Sequence, residues 1–276
     1  MASGVNIASR IVLWLCFTCA LVIFVFFVFA KSPLGRAMLE PDLFGFIWGV
    51  VITVLGSLVD AVGAYIIMAR PSHLKVQWFG RTTRSLNAIG VGLLILITTL
   101  VSVVYNNSLS MNNLVGRGYF IVFSSYCIKF FVVAACEEYA FRGVLLGLLA
   151  SRLNLVLSVL VSAFLFGLVH VGEVTLAMAH PHVPVPLGSI ATVIAENQVP
   201  FGVVMGYLYL RTKQLLWPVL LHWLNDWSPW GQDVNSLWNG WLTTVVLYVV
   251  AVILAEFVHA MQKKGSRATV SHEVPS

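Results

Sequence analysis

The chain has 276 residues and a net charge of +5, with 59% hydrophobic and only 10% charged residues, where a soluble globular domain carries about 25% charged residues. That composition excludes an ordinary soluble domain. The basic residues are spread along the chain, which excludes the single basic stripe of a nucleic-acid binder, and there is no tandem repeat, low-complexity segment or Gly-rich phosphate loop.

In chain order, apolar runs of the roughly 20 residues that cross a bilayer recur near residues 9–30, 42–69, 86–106, 118–150, 153–179, 189–210, 214–230 and 239–261. They predict an all-α polytopic membrane bundle of about eight transmembrane helices over residues 1–262, followed by a polar tail at 263–276. Val28-Phe29-Ala30 resembles a signal-cleavage site, but the apolar core before it exceeds the 7 to 15 residues of a signal peptide, so the first run is read as a retained helix. With the N-terminus inside, Arg10, Arg70, Lys75, Arg81, Arg84, Arg152, Arg211, Lys213, Lys263, Lys264 and Arg267 fall on the cytoplasmic side and Lys31, Arg36 and Arg117 outside. This bias places both termini in the cytoplasm and accounts for the net charge without a nucleic-acid partner. Trp227, Trp230, Trp238 and Trp241 bracket the last outer loop as an interfacial belt. Cys16, Cys19, Cys127 and Cys136 lie within spans as small apolar residues, so no disulfide framework is expected.

Against this background Cys136-Glu137-Glu138-Tyr139-Ala140-Phe141-Arg142-Gly143 is the most informative stretch, because a charge at bilayer depth costs about 2.5 to 3.5 kcal/mol and marks function by default. On a helix Glu138 and Arg142 stand at i, i+4 as an ion pair, a structural lock, while Glu137 points elsewhere and is left as the available base. The fifth span carries Phe166 one turn before His170, and the seventh sets His222 and Asp226 at i, i+4. Hydrocarbon offers such groups no partners, so mutual satisfaction around a shared hydrated cavity is the economical arrangement for Glu137, His170, His222 and Asp226. Two chemistries remain open. In one, His170, His222 and a carboxylate such as Glu137 hold a divalent ion such as zinc with a position open for water. In the other, Glu137 and His170 activate water directly while His222 and Asp226 orient the scissile carbonyl and stabilise its oxyanion. No HExxH pattern is present, and His180 and His182 sit in a Pro-rich outer loop. Asp60 and Lys129 are further charges at depth that could pair or line the cavity. Glu173, Glu196 and Asn197 are candidates for its rim, and Gly143, Gly147, Gly167, Gly202 and Gly206 allow close packing or a lateral opening.

At these residues the chain resembles the CPBP family of CAAX proteases and bacteriocin-processing enzymes, also called Abi. Glu137, Glu138 and Arg142 match its EExxxR motif, Phe166 and His170 its FxxxH motif, and His222 and Asp226 its HxxxN or HxxxD motif, in the family's order. The run Phe201 to Lys213, followed by Trp217-Pro218, looks like the bacterial branch. The resemblance covers roughly residues 118–230. It implies a multi-pass intramembrane endopeptidase of a bacterial plasma membrane, a helical bundle around a cytoplasm-facing conical cavity, cutting a lipidated or amphipathic protein or peptide. It also implies that Glu137 and His170 activate water and that His222 and Asp226 form the oxyanion site, and it does not choose between metal-dependent and metal-free chemistry. Asparagine replaces Asp226 in the eukaryotic prenyl proteases. An amide donates hydrogen bonds where an ionised carboxylate cannot, so Asp226 must be protonated, orient His222 or bind metal. The rival readings are a non-catalytic scaffold or bacteriocin self-immunity protein, in which the polar cluster serves structure, and a proton-coupled transporter, which calls for an inverted repeat that the sequence does not show.

Overall fold

The computed structural model describes residues 6–24, 43–79, 117–171, 194–227 and 248–263, with a few isolated positions between them. The predicted span near 86–106, Glu173, His180, His182, Trp230, Trp238, Trp241 and residues 264–276 lie outside the described residues. Every regular element among the described residues is helical.

Helix α1 is Ile7–Ile23, opened by Asn6, whose side chain accepts from the Ala8 N–H at 3.2 Å. Helix α2, Leu43–Ala64, continues through a π-helical turn, Tyr65–Ala69, and a 3-10 turn, Arg70–Ser72. The stretch Val50–Ser72 is long and apolar enough to cross a membrane. Helix α3, Arg117–Glu138, passes into a π-helical segment, Tyr139–Leu146, and ends in an α-turn, Gly147–Ala150. Helix α4, Leu155–Val169, starts at Asn154, whose side chain accepts from the Leu157 N–H at 2.8 Å. A π turn, Ile194–Gln198, leads into helix α5, Val199–Thr212, with Pro200, which has no N–H to donate, just past the junction. Helix α6 is Leu216–Trp227, its Pro218 in the first turn, where an N–H would have no helical partner. Helix α7 covers residues 248–263.

The chain divides into two compact units, Met1–Val76 with Ala135–Gly206, and Gln77–Ala134 with Tyr207–Ser276. In the first, Trp14, Phe141 and Phe166 form a continuous aromatic core, with ring centroids 5.0 and 5.1 Å apart and edge-to-face geometry at both steps. Helices α4 and α5 cross so tightly that a Cβ on Gly202 would stand 2.9 Å from the Ala163 Cα, so glycine there is a requirement of packing. In the second unit, α7 is tied to α5 by a bidentate pair, Arg211 donating to both Glu256 oxygens at 2.7 Å, by the Tyr207 hydroxyl on the same carboxylate, and by Gln262 Nε2 donating to the Thr212 carbonyl at 2.7 Å. The turn after α5 carries Lys213 at φ 56°, and the Leu215 N–H that follows donates to the Gln77 carbonyl at 3.0 Å.

Many large apolar side chains point outward. Leu55, Val62 and Ile66 on α2, Val156, Leu160 and Phe164 on α4, and Val249, Ile253 and Phe257 on α7 are all exposed, a density of outward apolar surface that monomeric soluble proteins rarely show.

Candidate active site

The π-helical segment begins at the residue after Glu138. The sequence reading treats 137–143 as regular α-helix, but the structure winds 139–146 with the wider i→i+5 turn. Residues 140–146 are all buried. No local propensity distinguishes the two forms. Even so, the expected lock forms: Arg142 Nη1 lies 3.0 Å from Glu138 Oε1, with the two side chains 1% and 0% exposed.

The lock has a second layer that the sequence reading missed. The Arg142 guanidinium sits over the Phe166 ring, 4.2 Å from its centroid, with Phe201 and Phe141 about it at 5.9 and 6.0 Å. Aromatic faces carry partial negative charge, so they help to hold a buried cation. The available signal was only that a phenylalanine sits in or beside each of three motif-bearing segments. Ser162, whose hydroxyl donates to the Phe141 carbonyl at 3.2 Å, fastens α4 to the π-helical segment.

Phe166 explains the FxxxH spacing twice. Its ring stacks at 4.3 Å on the His170 ring, and its carbonyl, one turn back, takes the His170 Nδ1 proton at 2.8 Å. That carbonyl is one of the last four of α4, which have no helical partners, and the His170 backbone N–H is directed to the Leu168 carbonyl. A carbonyl oxygen can only accept, so Nδ1 carries a proton. On the other side of the ring, Glu137 Oε2 lies 3.6 Å from Nε2. The side chains of His170 and Glu137 keep 11% and 18% exposure, while Glu137 Oε2 itself is buried.

Helix α6, in the other compact unit, brings His222 and Asp226 together: Nε2 stands 3.4 Å from Asp226 Oδ2. His222 is buried, and the neighbouring Trp223 packs edge-on against Phe131 at 5.9 Å. Asp60 on α2 accepts from the Thr18 hydroxyl at 2.5 Å. Lys129 places its ammonium 5.1 Å from the Phe130 ring centroid. Glu196 and Asn197 are exposed on the π turn before α5. Cys16, Cys19 and Cys136 are free thiols.

A catalytic zinc needs about three protein ligands. Among the described residues no three His, Cys, Asp or Glu side chains are grouped to hold a metal ion.

Residues 119–228 match the family model of the Rce1-like type II CAAX prenyl endopeptidases. Over this segment the chain is similar to the CAAX protease family. No curated protein and no solved structure gave a significant match to the chain. The matched segment runs from the start of α3 to the end of α6 and so contains Glu137, His170, His222 and Asp226, while α1, α2 and α7 fall outside it. The matched family is one of membrane-embedded endopeptidases of the CAAX type.

Proposed function

We propose that the protein is a multi-pass intramembrane endopeptidase of the bacterial plasma membrane that hydrolyses a peptide bond in a lipidated or amphipathic protein or peptide, with Glu137 and His170 activating the water. The observation that carries this reading is the facing pair itself. His170 Nε2 and Glu137 Oε2 stand 3.6 Å apart; with His170 neutral and protonated at Nδ1 both are acceptors, and a water molecule, with two protons to give, is the natural donor between them. Held by both protons, that water directs its lone pairs away from the pair, toward a substrate carbonyl. Glu137 takes one proton as the oxygen bonds to the carbonyl carbon. It returns that proton to the amine as the C–N bond breaks.

The HxxxD residues are proposed to serve the carbonyl. Asp226, 3.4 Å from His222 Nε2, orients the ring and stabilises its imidazolium form, whose positive charge favours the oxyanion. This gives Asp226 an orienting role and removes the need for a protonated carboxyl. The outward apolar faces of α2, α4 and α7 support placement in hydrocarbon.

The test is release of the C-terminal tripeptide from a farnesylated CAAX peptide by the purified protein in proteoliposomes. Wild type is expected to release it, and Glu137→Gln and His170→Ala are expected to remain folded and inactive. Sustained turnover by Glu137→Gln would remove the assigned base.

A further inference from the structure

The first compact unit gathers basic residues at one end, from three segments far apart in the chain. Helix α2 closes there in a left-handed turn. His73 sits at φ 52°, its N–H donates to the Arg70 carbonyl at 3.3 Å, and the Leu74 N–H reaches back to the Ala69 carbonyl at 3.2 Å. These two reversed bonds satisfy carbonyls that a helix end leaves open, and they fix Arg70 and Lys75 on either side of the turn. The start of α1 is tied to the same turn, because Arg10 Nη1 donates to Ser72 Oγ at 2.9 Å. The α-turn Gly147–Ala150 meets it as well: Leu74 packs on Gly147, where a Cβ would stand 3.2 Å from Leu74 Cδ2. Arg152 follows little more than a turn later, its N–H donating to the Leu149 carbonyl at 2.9 Å. Arg70, Lys75 and Arg152 are exposed and Arg10 is half-buried, and the stretches 6–12, 68–76 and 147–157 contain no Asp or Glu. Among the described residues none of the four cations enters an ion pair. An inside bias of Lys and Arg accounts for the side of the membrane on which they lie, not for their convergence on one turn.

What adjoins the cluster is apolar. Directly after Arg152, Leu153, Leu155, Val156 and Leu157 are exposed, and the start of α4 carries a shallow groove lined by Asn154, Leu155, Val156, Leu157 and Leu160. The outward apolar face of α4 runs on from there through Phe164, so the cations stand at the edge of the proposed hydrocarbon layer, at the level of lipid headgroups. An acidic soluble protein would answer the charge and leave the groove in water. We propose that this end of the unit binds an anionic phospholipid, its phosphate among Arg10, Arg70, Lys75 and Arg152 and an acyl chain along the groove of α4. Arg10, Arg70 and Lys75 all lie outside the matched segment. The inference rests on placement in a membrane and is independent of peptide hydrolysis.

The experiment titrates the purified full chain in detergent with dioctanoyl phosphatidylglycerol, dioctanoyl phosphatidylcholine, glycerol 3-phosphate or a polyglutamate peptide and counts bound ligand by native mass spectrometry. Phosphatidylglycerol is expected to bind at least about tenfold more tightly than phosphatidylcholine, and less tightly as salt is raised. At about fivefold per charge, Arg70→Gln with Lys75→Gln is expected to weaken it about twenty-five-fold and Arg152→Gln about fivefold. Leu155→Ser with Val156→Ser is expected to weaken it about tenfold with the charges intact. Arg152→Gln decides if the double glutamine variant does not fold. Equal binding of the two lipids, or charge variants that bind like wild type, overturns the site. Glycerol 3-phosphate bound as tightly as the lipid, or serine variants without effect, overturns the lipid in favour of a free phosphate. Polyglutamate bound more tightly than phosphatidylglycerol overturns it in favour of an acidic protein. A chain that alkaline carbonate strips from membranes overturns the membrane placement and the inference with it, whereas an enzyme that releases no peptide bears only on the protease reading.

Discussion

Replacing Arg142 by alanine tests whether the Glu138–Arg142 pair is a structural lock. The guanidinium is 1% exposed, lies 3.0 Å from a carboxylate that is 0% exposed, and stands 4.2 Å from the Phe166 ring centroid. Truncation leaves the Glu138 charge buried without its counter-ion, which typically costs about 3 to 5 kcal/mol, or more than a hundredfold in the folding equilibrium. The lost cation–π contact lies on top of this, at about 2 kcal/mol in a desolvated setting. The companion variant, Glu138→Leu with Arg142→Met, removes both charges and fills similar volume. Replacements of this kind are often neutral or better, so the double variant is expected to recover most of the loss. Equilibrium unfolding in mixed micelles, followed by far-UV ellipticity and tryptophan emission, gives both numbers. A single variant within about 1 kcal/mol of wild type, or a double variant as unstable as Arg142→Ala, would refute the lock. Peptide release by the folded double variant separates roles further: activity within about tenfold of wild type means that the pair supports the site without taking part in the reaction.

Asp226→Asn is expected to keep at least about a tenth of wild-type turnover, because an amide oxygen still accepts from His222 Nε2, whereas Asp226→Leu is expected to lose more than a hundredfold. If Asn and Leu are equally impaired, Asp226 does more than orient the ring. At the α4–α5 crossing, Gly202→Val is expected to lower turnover more than tenfold, since a Cβ 2.9 Å from the Ala163 Cα forces away the helix that carries His170. Kinetics equal to wild type would show that the crossing does not set the His170 position. Chelation with 1,10-phenanthroline is expected to leave peptide release unchanged, and loss of activity restored by added zinc would place a metal in the reaction. At the exposed Arg211–Glu256–Tyr207 cluster, Glu256→Gln is expected to change thermal stability only slightly, and less still in high salt. A large, salt-insensitive loss would mean that the cluster anchors α7 far more strongly than a surface ion pair does.

What the sequence by itself determined is what hydropathy and short spacings encode. Apolar runs marked α2 and α3 within a few residues, and i, i+4 spacings foretold the Glu138–Arg142 and His222–Asp226 pairs, because one turn of helix brings such residues together whatever surrounds them. The motifs named the family segment for the same reason, being short and local. What only the tertiary structure decided depends on residues far apart in the chain. Glu137 faces His170 across 33 positions of sequence, the Arg142 cage draws rings from three segments, and Asp60 reaches its hydroxyl partner 42 residues earlier. The π winding of residues 139–146 belongs with these. Its side chains would fit an α-helix equally well by propensity, so the wider turn is not legible in the local sequence. Local spacing specifies which groups share a helix face, and the packing of helix on helix specifies which faces meet.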